Sequence, residues 1–236
     1  MAVDFRIKAR PFDYPYDGRL DPARAALLVI DLQVDFLAAD GYFARKGYDP
    51  APLRAILPTV GTLVAAARDA GFLIVHTRQG YRADMADMTA YERWRRRRSG
   101  LDGTTVMLRD TPGYQIVPEI AVAASDVVVD KTCNGAFTHT DLDHVLRARD
   151  ISHLLFSGCT TDVCVHSTLR EAVDRNFQCL LVEDACASAD RYAHEAAIHM
   201  VTVEDGVFGT VAKSADVAAA LRGIGRPPAT ALPAGT

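Results

Sequence analysis

Residues 151–172 read "ISHLLFSGCTTDVCVHSTLREA": a short apolar run, a small polar turn holding two cysteines, then a helical pattern. Continuous apolar runs of this length suit strands buried on both faces of a parallel sheet. Beyond the turn, Val165, Leu169, Ala172 and Val173 recur at helical spacing and give that segment one apolar face. A buried strand therefore hands over to an amphipathic helix, with cysteines at the junction.

The same alternation extends in both directions. "AALLVID" (Ala25–Asp31), "GFLIVHTR" (Gly71–Arg78), "SDVVVDK" (Ser125–Lys131) and "QCLLVED" (Gln178–Asp184) read as strands, and "GVFGTVA" (Gly206–Ala212) as a sixth. Helical stretches lie between them. "APLRAILPTVGTLVAAARDAG" ends on Gly71 in C-cap position, "DLDHVLRARD" puts Leu142, Val145 and Leu146 on one face, and "RYAHEAAIHMV" leads to the last strand. This order predicts an α/β fold: a doubly wound, mostly parallel six-stranded sheet with helices on both faces, in a Rossmann-like three-layer arrangement. We expect a lead-in over residues 1–24, one domain over residues 25–224, and a disordered tail over residues 225–236, which includes "RPPATALPAGT".

Composition narrows the function classes. A formal charge of −4 provides no basic field for nucleic acid. No apolar run reaches the roughly 20 residues that span a bilayer, and the N-terminus lacks a secretory apolar core. The five cysteines are odd in number and contain no C-x-x-C pair, so neither a disulfide framework nor a zinc site is expected. Reduced thiols in a cytoplasm fit this usage.

In open parallel sheets, ligands bind beyond the carboxyl ends of the strands. Those ends carry Asp31, then His76-Thr77-Arg78, then Lys131, then Gly158 to Cys164. An acid, an amine and a thiol thus share one rim. With Thr161 or Asp162 as N-cap, Cys164 falls in the first turn of its helix, where unpaired N–H groups and the dipole favour a thiolate. The expectation is a thiol pKa below the free value of about 8.5, with Lys131 pushing the same way. Cys159 has no helix behind it and, with Cys133, reads as a bystander lining the pocket; Cys179 and Cys186 read as buried core. No histidine is well placed as a base. His166 points to another helix face, His194 and His199 have the wrong spacing for a zinc pair, and His139, His144 and His153 read as surface or core. His76 alone lies near the rim, so Asp31 is the more plausible base.

The motifs "VIDLQVDF" with Asp31, "VDKTCNGAF" with Lys131 and "GCTTDVCVHSTLREA" with Cys164 resemble those of the isochorismatase-like cysteine hydrolases, in order, over about residues 25–212. The resemblance implies a catalytic triad of Asp31, Lys131 and Cys164. It also implies a cis peptide at Cys159–Thr160 and an oxyanion hole made by the Thr160 and Cys164 N–H groups, with no cofactor and no metal. Cys164 argues against the vinyl-ether-cleaving branch. The lack of histidine in "GYFARKGYDPAP" after Asp40 argues against a metal-bearing nicotinamidase.

A closer likeness is to the biuret and triuret hydrolases and related ureide-cleaving enzymes, through "PFDYPYDG", "HTRQGYRADMADM" and "TTDVCVHSTLREA", with "EDGVFGTV" also similar. Glu204, where those enzymes tend to carry glutamine, and "KTCNGAF" depart from that branch. The resemblance implies a cysteine-dependent amidohydrolase cleaving a linear C–N bond of a small ureide or amide through an acyl thioester. Biuret, triuret, ureidoacrylate and N-carbamoyl compounds are the types considered, with ammonia or an amine released by a homodimer or homotetramer. Alternatives are an amidase of another small carboxamide (nicotinamide or maleamate type), a non-catalytic binding protein, and a redox pair of Cys159 and Cys164. Arg78, Tyr81 and Arg82 are candidate substrate contacts, as are Gln33 and Glu204, while Phe36 and Phe137 are candidate pocket walls. The run "ERWRRRRSG" (Glu92–Gly100) reads as a solvated helix face or a subunit interface rather than a nucleic-acid patch.

Overall fold

Side-chain alternation along one strand sets the layering. In the computed structural model, which describes residues 3–98, 100–101 and 107–224, every residue of Ala25–Ile30 is buried. Leu27 and Val29 face one apolar cluster, and Leu28 and Ile30 face the other. Burying a leucine such as Leu28 contributes about 1.5–3 kcal/mol, so a strand buried on both faces is a strong organiser.

A ribbon of β1 (Val3–Asp4) and β2 (Arg19–Leu20) precedes this central strand, β3. Short helices α1 (Val34–Leu37), α2 (Tyr42–Arg45) and α3 (Ala51–Ala55) follow it, then α4 (Leu57–Asp69) and β4 (Leu73–Gln79). Next come α5 (Ala90–Arg98), β5 (Val127–Lys131), α6 (Leu142–Ala148) and β6 (His153–Cys159). The chain ends its described part with α7 (His166–Asp174), β7 (Gln178–Ala187), α8 (Arg191–Gly206), β8 (Thr210–Ala212) and α9 (Ser214–Arg222). The sheet is six-stranded with order β5-β4-β3-β6-β7-β8, and its neighbouring strands pair in parallel. Helices α4 and α9 pack on one face, and α6, α7 and α8 on the other. This is the expected doubly wound sheet, with its switch point between β3 and β6.

Several elements differ from the sequence reading. The helix expected over residues 51–71 is two helices meeting at Ile56. Pro58 has no N–H to bond back, and its ring excludes the carbonyl four residues earlier. Gly71 closes the second helix at φ +88°, as its position suggested. The sixth strand shortens to Thr210–Ala212 because Gly206 and Gly209 form a turn, both at positive φ. The tail over residues 225–236 lies outside the described residues.

The lead-in has a packing role. Arg10 and Val211 exchange backbone hydrogen bonds of 3.0 and 2.9 Å, covering the open edge of β8. The Arg10 guanidinium grips Glu183 on β7 at 3.0 and 2.5 Å. Among the described residues, no helix is long and apolar enough to cross a membrane.

Candidate active site

Asp31 leaves β3 in the left-handed region, φ 50°, a conformation that a short polar side chain tolerates. Its N–H donates to Thr77 Oγ1 at 3.1 Å, and that hydroxyl donates back to Asp31 Oδ1 at 2.6 Å. Lys131, the last residue of β5, places Nζ 2.8 Å from Asp31 Oδ2, and neither side chain is exposed. The ammonium also donates to the Cys133 and Asn134 carbonyls at 3.0 and 2.9 Å. Burial acts to lower the Lys131 pKa, but Asp31 and Cys164 more than reverse it, and the net direction is up. A buried ion pair is tolerable only when its remaining donors are satisfied in this way.

Cys164 reaches the same point from β6. Gly158 sits at φ +113°, and a Cβ there would collide with the Ile30 backbone, so glycine is required where β6 passes β3. The peptide between Cys159 and Thr160 is cis, as the resemblance implied. Thr161–Val165 then forms a π-helical turn, and α7 begins only at His166. Cys164 therefore lies inside that turn rather than in the first turn of an α-helix. Neither Thr161 nor Asp162 acts as the expected cap: the N-cap position belongs to Thr160, with no side-chain bond. The Thr161 hydroxyl instead meets His194 Nδ1 at 2.8 Å.

The thiol donates to Gln79 Oε1 at 3.2 Å, and the Asp31 carboxylate and the Lys131 ammonium both lie close enough to act on its charge. Here the expectation of a lowered pKa is overturned. Burial pushes the Cys164 thiol up, Lys131 pulls against it, and the Asp31 carboxylate opposes a second negative charge, so the net direction is up. With Lys131 already balanced by Asp31, little positive field remains to favour a thiolate.

Beside this cluster opens a cavity of about 710 Å³. Thr160, Cys164 and Gln79 line it, while Asp31 and Lys131 stand behind them. Phe36 and Tyr81 are wall residues, and burial pushes the Tyr81 phenol up to about 12.

The other candidate contacts lie elsewhere. Arg78 is bound to Asp130 at 2.8 and 3.1 Å and to Gln115 at 3.1 Å, stacked on Tyr114. The period of two on β4 explains this: Thr77 and Gln79 face the site, so Arg78 faces away. Arg82 is exposed and pairs with Asp84. Phe137 stacks against Phe177 in the core, with Arg175 over its ring. Glu204 is exposed in the turn that enters β8, at the end of the sheet opposite the rim. His76 is buried against Asp126 at 3.1 Å and does not line the cavity. Cys159 is core, its thiol directed to the Asp31 carbonyl at 3.2 Å, whereas Cys133 does line the cavity.

Two features escaped the sequence reading. Gln79 joins Cys164 to Lys131, whose Nζ lies 3.5 Å from Gln79 Oε1; the alternation on β4 was the signal for it. The arginine run is no simple solvated face either. Arg96 is buried over the rings of Tyr81 and Tyr42, at 4.7 and 5.6 Å, and it lines the cavity together with Arg95. Among the described residues, no group of three or more His, Cys, Asp or Glu is arranged to hold a metal ion.

Comparison with known proteins places this geometry in a wider group. A family model described as "Isochorismatase domain" matches residues 25–216. The ureidoacrylate amidohydrolase RutB of Enterobacter sp. (strain 638) is 32% identical over 206 residues, covering 83% of this chain and 89% of that protein. A cysteine hydrolase from Pseudomonas syringae pv. phaseolicola 1448A superposes with a TM-score of 0.75 at 26% identity, over 87% of this chain and 95% of that one. The nicotinamidase PncA from Bacillus subtilis does so with a TM-score of 0.67 at 26% identity, over 80% and 100% of the two chains.

Proposed function

The chain belongs to the isochorismatase family and is a hydrolase of amide or ureide C–N bonds, and we propose that it cleaves a small linear substrate with Cys164 as nucleophile. The observation that carries this reading is the meeting of the Cys164 thiol, the Asp31 carboxylate and the Lys131 ammonium beside one cavity. The likeness to an amidohydrolase that acts on ureidoacrylate supports a ureide or amide as substrate.

The resting nucleophile is a thiol, so its proton leaves as the sulfur attacks. Asp31 accepts that proton while Sγ bonds to the substrate carbonyl carbon. The negative oxygen that forms is held by the Thr160 and Cys164 N–H groups, one such donor being worth about 3 kcal/mol in the transition state. Lys131 keeps Asp31 in place and balances its charge. Protonated Asp31 then returns the proton to the leaving nitrogen as the C–N bond breaks, releasing ammonia or an amine and leaving an acyl thioester. Water, deprotonated by Asp31, attacks that thioester, and the sulfur leaves with the proton to restore the thiol.

The test is direct. Ammonia release from ureidoacrylate, N-carbamoyl amino acids, biuret and triuret is measured for the wild-type protein and for Cys164→Ala. We expect turnover of at least one of these and its loss in the variant; full activity in Cys164→Ala refutes the assignment.

A further inference from the structure

The segment that follows β5 has no regular structure, so its backbone N–H groups need partners from elsewhere in the fold. It starts directly after Lys131, whose ammonium has three protons to place. Asp31 takes one at 2.8 Å. The Cys133 and Asn134 carbonyls take the others, at 3.0 and 2.9 Å. The setting of this buried charge thus depends largely on where residues 133 and 134 lie.

Two side chains of α7 hold that segment. The Ala136 N–H donates to Thr168 Oγ1 at 3.1 Å, and the Phe137 N–H donates to Glu171 Oε2 at 3.0 Å. The Thr138 hydroxyl donates to Glu171 Oε1. Glycine is required at residue 135, because a Cβ there would collide with the Glu171 carboxylate. Thr168 also donates to the Cys164 carbonyl at 2.6 Å. A hydroxyl that bonds back by one turn is ordinary in a helix. This one, fully buried, serves the Cys164 turn and the Lys131 segment at once.

From these contacts we infer that Thr168 and Glu171 are positioning residues for the reaction. They lock the segment over residues 133–138 to the helix that follows the nucleophile, and so hold the ammonium beside Asp31 and Cys164. This rests on the reading of Cys164 as nucleophile. Neither side chain lines the cavity, so both act through the groups they hold. Thr168→Val keeps the shape of the side chain but leaves the Ala136 N–H buried without its acceptor.

Iodoacetamide modification of Cys164, followed by mass spectrometry at about pH 8, tests this without a substrate. Lys131 draws the thiol towards ionisation, so a displaced ammonium slows the reaction. A merely structural loosening has the opposite sign, since local opening exposes a buried thiol and speeds its modification. We expect Thr168→Val and Glu171→Leu to react at least about threefold more slowly than wild type, and Thr168→Ser and Glu171→Gln to stay within about twofold of it. Combining Thr168→Val with Glu171→Leu should slow the reaction by less than the product of the single effects, because both release one segment. Where these variants fail to fold, Gly135→Ala decides: its added methyl pushes the Glu171 carboxylate aside and should slow modification in the same way. In ammonia release, kcat should fall about tenfold in Thr168→Val and recover in Thr168→Ser. Unchanged or faster modification in Thr168→Val and Glu171→Leu overturns the inference, as does an unchanged kcat in Thr168→Val. Thr168→Ser reacting as slowly as Thr168→Val does so too. These results leave Cys164 as nucleophile untouched, whereas activity surviving in Cys164→Ala strikes at the reading beneath.

Discussion

The carboxamide of Gln33 grips the backbone of Gln79 on both sides. Its Oε1 accepts from the Gln79 N–H at 2.7 Å, and its Nε2 donates to the Gln79 carbonyl at 3.1 Å and to the Tyr114 carbonyl at 2.9 Å. This clamp fixes the strand tip from which the Gln79 side chain reaches Cys164. In Gln33→Leu the freed backbone groups remain buried, each at a cost of about 1–3 kcal/mol. We expect urea unfolding to show a loss of about 2–4 kcal/mol, with kcat reduced about tenfold through the misplaced Gln79. Unchanged stability would mean that the clamp is redundant.

Asp31 and Lys131 should behave as a unit. Removing one partner leaves an uncompensated buried charge, so Asp31→Asn and Lys131→Met should each cost about 3–5 kcal/mol of stability and nearly all activity. The double variant should be destabilised by less than the sum of the singles. A denaturant double-mutant cycle checks this; strict additivity would show that the two groups do not interact.

The thiol's reactivity carries a definite pH signature. Because burial raises its pKa, iodoacetamide should modify Cys164 slowly at neutral pH, with a rate still climbing past the free-thiol value of about 8.5. Lys131 is the group that pulls this pKa down, so Lys131→Met should slow alkylation further at any given pH. Mass spectrometry of the Cys164 peptide reads both effects. A rate plateau below about pH 7 would contradict the assigned environment.

Acid should weaken the fold from the histidine range downward. Burial, the first cause in each case, depresses His76, His153, His166 and His194. Below the unfolded value of about 6.5, the unfolded chain binds protons that the native state refuses, so stability is full above that value and is lost as pH falls. Asp126 extends the loss to lower pH. Burial acts to raise its pKa, but Arg68, the Ala123 N–H and His76 more than reverse this, so its contribution fades once the carboxyl is forced to protonate. Urea midpoints should therefore fall between about pH 7.5 and about pH 5.5, and less steeply in His76→Asn. A midpoint that rises on acidification would reverse the sign argued here.

The layers of the molecule and the meeting of Asp31, Lys131 and Cys164 were legible because strands buried on both faces leave unbroken apolar runs whose ends can be counted. Arg78 follows the same rule: the period that points Thr77 inward turns Arg78 outward, towards Asp130. The place of Glu204 is set by which end of β8 it precedes, and the likeness of its motif says nothing of that. Arg96 could not be read locally. Its burial depends on Tyr42 and Tyr81, which arrive from two separate loops and supply ring faces for a guanidinium. The raised pKa of Cys164 was hidden for a similar reason, since desolvation belongs to the packed state rather than to a helix start.

The reactive trio grows from strand tips, whereas Tyr42, Lys46, Arg95 and Arg96 sit on excursions between β3 and β5. Substitutions in those excursions can therefore reshape the cavity while leaving the sulfur's surroundings untouched. Homologues that process different nitrogen compounds should diverge most along these two stretches of chain and least where the sheet ends.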